Sequence, residues 1–589
     1  MKGVDAVPHD LLKVIAWGKH ASSRVIRDLL PGSVREKYRI DLRGMDGNLI
    51  SKSLEDIISG HHSTKGFWRK LLNFSDRLSA VAGRLKLEYD YWYRGQADPF
   101  FVKVYGDIVV WTEERRKSLW ENVKRVLMSY SDREEKHKEA FIKVNEILKE
   151  FPADSEFPFT SLKSHHWLMN AICKNRYFWS KCVRATERNR YPDFDELYMI
   201  RISLAEPEFH RLREIRAFSD LRRRAVESAH ERLSDYSPLL IGDDLYLVCV
   251  DGDEVDIVQK KLEDLGFGFD LDVFKWYIEG VRFIRVDGKE RTYFRVKGYE
   301  TFYFSVGALS DWEPRPESSA EWSKVLMGDY EYVAWVSVKP KGDMEEIAKC
   351  FLDWGERELE KRFGEIRIKV EKPIRQCVSL SPELAVSIAE SYDEFLRDCV
   401  GVVRGGSLEP EVTVVRSFGR SIFIRGLRDL FEAFNLYWGL YERRTKLHIP
   451  VVISIVTAKP KYPFWKILEL FGDFEADGKG GIAFIVGEKM VKLSDEDVRL
   501  LRQVVPALRN CSRSQFNEII TLSRRVGLEE LKLRIEGKAK DNKIPRETSN
   551  KLCWFISKLS DKYEGEELKA VIYRSLKMVM PFTRKDRRR

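Results

Sequence analysis

No two of the eight cysteines (173, 182, 249, 350, 377, 399, 511 and 553) stand at a C-x2-C spacing, which argues against a zinc ribbon and against a secreted disulfide scaffold. No apolar run is long enough to cross a bilayer, and the N-terminus lacks the apolar core of a secretory signal. A cytoplasmic protein with no membrane partner is therefore expected. Nucleotide binding through a P-loop is also absent, because Gly478-Lys479-Gly480-Gly481 lacks the G-x-x-x-x-G-K-[ST] spacing. Gln is scarce while charged residues reach 33%, a bias that points to a thermophilic source. Nor is there a large excess of one charge sign. Lys and Arg number 102 against 93 Asp and Glu, and a net +9 permits a nucleic-acid partner without requiring one. The basic tail Thr583–Arg589 reads as a solvated end or a contact to backbone phosphate.

What is present is length enough for several cores, since 589 residues exceed what one hydrophobic core fills. Apolar residues recur at helical spacing in Leu11, Leu12 and Ile15 and again in Leu71, Leu72 and Leu78, so residues 1–100 read as helical. Residues 101–155 continue as a charge-rich helical connector, and Pro152 to Pro158 punctuate its end. From there the pattern becomes mixed. A helix at Ser161–Ile172 leads to a strand at Tyr198–Ser203, a helix at Pro207–Leu233, a hairpin turning at Gly242-Asp243-Asp244, and a helix at Asp253–Leu265. The order then recurs: a strand at Tyr332–Val338, helices at Met344–Phe363 and Pro382–Cys399, a hairpin at Val412–Ile424, a strand at Ile449–Thr457 and a helix at Pro463–Leu470. Two such units, 156–325 and 326–490, suggest a duplicated domain, and residues 491–589 return to helix.

One constellation carries chemistry. His9-Asp10, then His61-His62, then Asp76 is the ligand set of an HD-type metal phosphohydrolase. Imidazole nitrogen with carboxylate oxygen suits a borderline transition ion such as Mn2+, Ni2+ or Co2+, and such a site leaves room for water and phosphate. We take His9, Asp10, His61 or His62, and Asp76 as candidate ligands. Lys13 is placed to steady a phosphate oxygen, and His20 to act as a general acid or hold a second ion; ordinary helix surface is the equal alternative for both.

Four segments resemble one family. His9-Asp10-Leu11-Leu12-Lys13 is similar to an HD-x-G-K opening, and His61-His62 with Ser75-Asp76-Arg77-Leu78-Ser79-Ala80 to an HH and A-D-x-L-S-A pair. Thr160-Ser161-Leu162 with His165-His166 is like the helix that opens the family's first palm, and Ile453–Pro463 like a strand and turn of its second. The chain thus resembles the large, polymerase-like subunit of type III CRISPR effector complexes, the Csm/Cmr group. That resemblance implies an α+β multidomain fold: an N-terminal all-helical HD domain, two ferredoxin-like palm (cyclase-like) domains and a C-terminal helical domain. It also implies a nuclease acting on single-stranded DNA within a ribonucleoprotein, with guide RNA, target RNA and other effector subunits as partners. The His-Asp pair standing ahead of the other His matches that family's permuted order. Leu12 departs from it, standing where the family has Gly and crowding the backbone beside the pair.

Two rival readings stand beside this one: a structural subunit whose HD site is dead, and, from two hairpin tips, a cyclic oligoadenylate synthase. Gly242, Asp243 and Asp244, with Glu206 from the first strand, are the candidate nucleotide site, since paired carboxylates on a tip can hold Mg2+. Against it, the family's G-G-D-D lies in the second palm. There the tip reads Phe418-Gly419-Arg420-Ser421, and only Asp343 lies near the partner strand. The second palm is expected to be degenerate, and Asp243-Asp244 a solvated turn. His165-His166 reads as a partly buried helix-capping pair, and Arg213, Arg222, Arg223 and Arg224 as a solvated or RNA-facing row.

Overall fold

The computed structural model describes residues 8–14, 22–43, 49–61, 67–83, 98–153, 158–187, 194–205, 212–286, 289–307, 332–363, 380–404, 419–427, 430–459, 462–478, 480–486, 489–508, 511–561 and 563–579. His20, His62, Glu206, the first half of the 412–424 hairpin and the basic tail lie outside the described residues.

The N-terminal part is not all helix. Arg39–Arg43 and Leu49–Ser53 pair antiparallel, with Ile40 opposite Lys52 and Leu42 opposite Ile50. The connector also begins extended: Phe100–Phe101 pairs with Val109–Val110 before the helices Glu113–Tyr130 and His137–Leu148. Thr112 caps the first of these helices by accepting from the Arg115 N–H, and Glu113 and Glu114 sit in its first turn, where the helix dipole favours anions.

Each of the two mixed units is built around a five-stranded sheet. In the first, the order runs Leu239–Ile241, Asp244–Cys249, Glu196–Leu204, Phe269–Val286, Lys289–Val306, antiparallel throughout. The helices Leu212–Arg232 and Gly252–Glu263 cover one face and enclose a core that includes Ile200, Leu247, Phe218 and Val258. This is the ferredoxin-like order, second-third-first-fourth, extended by one strand. That last hairpin, Phe269 to Val306, is one the sequence reading did not include; its pairing is interrupted by two register irregularities, at Tyr277/Ile278 and Glu279/Arg282.

The second unit places Tyr332–Pro340 between Ser421–Leu427 and Val451–Ala458, all antiparallel, as Glu196–Leu204 lies between Asp244–Cys249 and Phe269–Val286 in the first unit. The helices Met344–Phe363 and Pro382–Arg404 lie between Tyr332–Pro340 and Ser421–Leu427 in sequence, and Phe464–Ala476 packs on the face containing Val333, Trp335 and Ile424. The tail is helical as expected, in five helices from Asp495–Leu508 to Gly565–Val579.

The helix Leu162–Lys174 joins these parts. Every residue from Leu162 to Cys173 is buried, as in a helix enclosed on all sides rather than one lying on a surface. Its neighbour Asn175 donates to Glu254 of the first unit, whose other carboxylate oxygen accepts the Val250 N–H, each at 2.7 Å.

Burial pushes the Glu254 carboxyl up to about 7, against the pull of these two donors. The folded chain thus holds a proton that the unfolded chain, at the ordinary value of 4.5, has released, so this group's contribution to stability falls as pH rises from 4.5 towards 7. We expect Glu254→Gln to flatten that slope. Urea midpoints of both proteins from about pH 4 to about pH 8 check it, and parallel profiles would refute it.

Candidate metal centre

His9 and Asp10 lie in the turn that leads into the short 3-10 helix Leu11–Val14, with Leu11 and Leu12 buried in the core. The Lys13 N–H closes this turn on the Asp10 carbonyl at 2.8 Å. Leu12 is fully buried, so its side chain is accommodated beside the His-Asp pair. Asp76 projects from the middle of the helix Phe67–Gly83, and His61 ends the helix Leu54–Gly60, which starts on a Ser53–Asp56 capping box.

Three of the expected ligands converge, and a fourth joins them that sequence reasoning placed elsewhere. His165, on the first turn of the buried helix Leu162–Lys174, completes a cluster with His9, Asp10 and Asp76 whose ligand atoms all lie within 4.8 Å of one another. His9 Nε2 and His165 Nε2 each lie 3.3 Å from Asp76 Oδ1, and 3.7 and 3.4 Å from Asp10 Oδ2. Donors held ~2.0–2.2 Å from a tetrahedral ion are ~3.4 Å apart, so these separations match the edges of a coordination shell. Two imidazoles and two carboxylates also suit a divalent transition ion in chemical type. The residues present fit the group.

His61 faces the other side of Asp10. Its Nε2 lies 3.1 Å from Asp10 Oδ1 and its Nδ1 2.7 Å from the Ile58 carbonyl, outside the four-donor cluster. Lys13 pairs with Asp10 Oδ2 and also donates to the Ala153 carbonyl at 3.3 Å.

His165 and His166 are therefore not a half-exposed capping pair. Ser161 is the cap, accepting from the Ser164 N–H, and both imidazoles are buried beneath it. His166 braces the turn at Asp10. Its Nε2 accepts the Asp10 backbone N–H at 3.3 Å, and its Nδ1 donates to Asn145 Oδ1 at 2.8 Å. Burial holds His166 well below the ordinary imidazole value, as a neutral ring that accepts at Nε2 requires.

The other groups divide by their neighbours. Burial lowers His9. Burial would also lower His61 and His165, but carboxylates outweigh it: Asp10 for His61, and Glu383, Asp10 and Asp76 for His165, which stands well above its ordinary value. Burial would raise Asp76, yet His165 and His9 hold it well below the carboxylate range.

The palm tips are furnished differently. Gly242 and Asp243 form a two-residue turn, with Gly242 at φ +61° and Ile241 paired with Asp244. Asp244 is buried and accepts from Arg222 Nη2 at 3.0 Å, while Arg201 bonds Asp272 at 3.0 Å. Arg222 is thus a buried partner of this tip, not part of a solvated row; Arg223 and Arg224 are exposed. At the second tip Arg420 grips Glu475 through two bonds of 2.8 and 2.7 Å, joined by Lys339 at 3.1 Å. Asp343 caps the helix Met344–Phe363 by accepting the Glu346 N–H at 2.9 Å.

No protein-family model and no curated protein matches the chain. Solved structures do. The crystal structure of Csm1 in T. onnurineus aligns over 99% of both chains with TM-score 0.51 at 10% identity. A Csm1-Csm4 cassette in complex with pppApA aligns over 99% of this chain and 98% of that one, with TM-score 0.48 at 12% identity. The same cassette in complex with cA4 aligns over 99% of both chains, with TM-score 0.47 at 12% identity. At such identity the likeness is one of fold: the chain has the multidomain fold of Csm1, the large subunit of the group that the sequence resembles.

Proposed function

We propose that the chain is the large subunit of a type III CRISPR RNA-guided effector complex and that its activity is a metal-dependent nuclease acting on single-stranded DNA. The observation that carries this is the convergence of His9, Asp10, Asp76 and His165 inside a Csm1-like fold. A divalent transition ion bound there supplies Lewis acidity to a phosphodiester and a nucleophile drawn from water at neutral pH. The ion would be held by His9 Nε2, His165 Nε2, Asp10 and Asp76. His166 fixes the backbone of Asp10 and His61 its second oxygen, so the carboxylate enters the site in one orientation. Lys13, paired with Asp10 at the edge of the site, would be the cation to meet a phosphate oxygen. Guide RNA, target RNA and other effector subunits are the partners this reading requires, and guide pairing would select the sequence.

Oligoadenylate synthesis is the weaker reading, because arginines engage the carboxylates Asp244, at the first tip, and Glu475, beside the second. Arg222 holds Asp244, and Arg420 with Lys339 holds Glu475. Guanidinium does not give up its proton, so an ion cannot displace that charge as it can an imidazole proton.

In the assembled complex with target RNA and Mn2+, Ni2+ or Co2+, we expect His165→Ala and Asp76→Asn each to lower single-stranded DNA cleavage at least ~100-fold, the upper end of what a mere supporting residue costs. Asp243→Asn should leave cleavage unchanged. Intact DNA with the wild-type complex and all three ions would sink the nuclease assignment. Separately, the same complex with ATP and Mg2+ should give no cyclic oligoadenylate; a product lost in Asp243→Asn would reverse the order of the two readings.

A further inference from the structure

The helix Pro382–Arg404 of the second palm-like unit meets the buried helix Leu162–Lys174 through three consecutive residues of the latter. Lys163 Nζ bonds Glu390 at 2.6 Å, Ser164 Oγ lies 3.4 Å from Ser387 Oγ, and His165 Nδ1 lies 2.9 Å from Glu383 Oε1. Glu383, Ser387 and Glu390 fall at i, i+4 and i+7, one stripe of a helix, so the contact is a register and not a single touch.

Glu383 is 2% exposed, and a carboxylate at such depth is costly unless it is paired. Two features settle it there. It lies in the first turn of its helix, where the dipole favours an anion, behind Ser381, whose hydroxyl accepts the Leu384 N–H at 3.1 Å. The other is the imidazole of His165. A histidine has two ring nitrogens, and the Nε2 of His165 faces Asp10 and Asp76 while Nδ1 faces Glu383. A carboxylate accepting from Nδ1–H fixes the tautomer that leaves the Nε2 lone pair for an ion, and it fixes the ring plane as well.

We infer that Glu383 is a positioning residue for the metal centre, so that the second palm-like unit, through its helix Pro382–Arg404, completes a site whose ligands all come from elsewhere in the chain. This rests on the metal-centre reading above. The same helix also reaches both palm tips. The Tyr392 hydroxyl donates to the Val338 and Gly419 carbonyls at 3.3 and 3.4 Å, and a Cβ on Gly242 would lie 3.2 Å from Asp393 Oδ1. A unit whose tip carries Arg and Ser therefore still has a mechanical part in the nuclease.

The test is Co2+ binding to the full-length chain, read by calorimetry and by the visible Co2+ spectrum, in wild type, Asp76→Asn, Glu383→Ala, Glu383→Gln and Ser387→Ala. Loss of the outer carboxylate should weaken Co2+ binding ~10–100-fold in Glu383→Ala and shift its spectrum. Glu383→Gln, which keeps an oxygen to accept Nδ1–H, should recover most of the affinity, and Ser387→Ala should bind as wild type. Should Glu383→Ala fail to fold, Glu383→Asp takes its place, because the shorter carboxylate withdraws from Nδ1 and should weaken binding in the same direction. Affinity and spectrum unchanged in Glu383→Ala or Glu383→Asp, while Asp76→Asn abolishes binding, would overturn the inference alone. A wild-type chain that binds no Co2+ would overturn the metal centre and this inference together.

Discussion

The structure turns on one awkward helix. Leu162–Lys174 is enclosed on every side, yet its first turns present Lys163, Ser164, His165 and His166 to the interior. Polar groups at such depth must find partners, and each of these finds them on elements other than its own helix. Lys163 takes Glu146 and Glu390, Ser164 takes Ser387, His165 takes Asp10, Asp76 and Glu383, and His166 takes Asn145 and the Asp10 backbone. Four consecutive side chains thereby tie together the N-terminal turn, the helix Phe67–Gly83, the connector and the second palm-like unit. An apolar helix in this place would bury as much surface but specify none of these registers.

The same rule separates the acid clusters of the molecule. Among the described residues, Asp10 and Asp76 are faced mainly by imidazoles, which can give up a proton to an ion, with Lys13 as a fixed cation at the edge. Asp244, Asp272 and Glu475 are faced by Arg222, Arg201 and Arg420, which keep their charge at any pH at which the protein folds. The two kinds of site contain similar carboxylates. What stands opposite them leaves the first able to take a metal, whereas the others are structural ion pairs.

Much of this was legible in the sequence, and the illegible part has a common cause. The His9-Asp10 pair, Asp76, the two mixed units and the Gly242 turn followed from adjacency, periodicity and turn chemistry, all local signals. The strand pair at Arg39–Arg43 and Leu49–Ser53 was missed although Arg39-Ile40-Asp41-Leu42-Arg43 alternates as a strand does, because five residues of alternation were outweighed by the helical spacing on either side. His165 was missed for a different reason. It follows a good cap, and a His beside a cap has an ordinary local explanation; its partners lie 89 and 218 residues away. A signal was nonetheless present: four polar residues at the start of an otherwise apolar helix, none of which can be buried without a partner.

That distance in sequence has a consequence for how the site comes to exist. Asp76 is 67 residues from His9 and 89 from His165, and Glu383 is 218 residues beyond the ligand it orients. Contacts of such separation form only after long loops have been closed, and their entropic cost is met by the packing of the elements that carry them. The His-Asp pair at the start of the chain therefore has no metal-ready geometry of its own. It acquires one when the buried helix docks, and that helix is held in register by the second palm-like unit. Assembly of the interior and assembly of the candidate metal centre are on this account one event, which confines the proposed chemistry to a chain whose units have already closed upon one another.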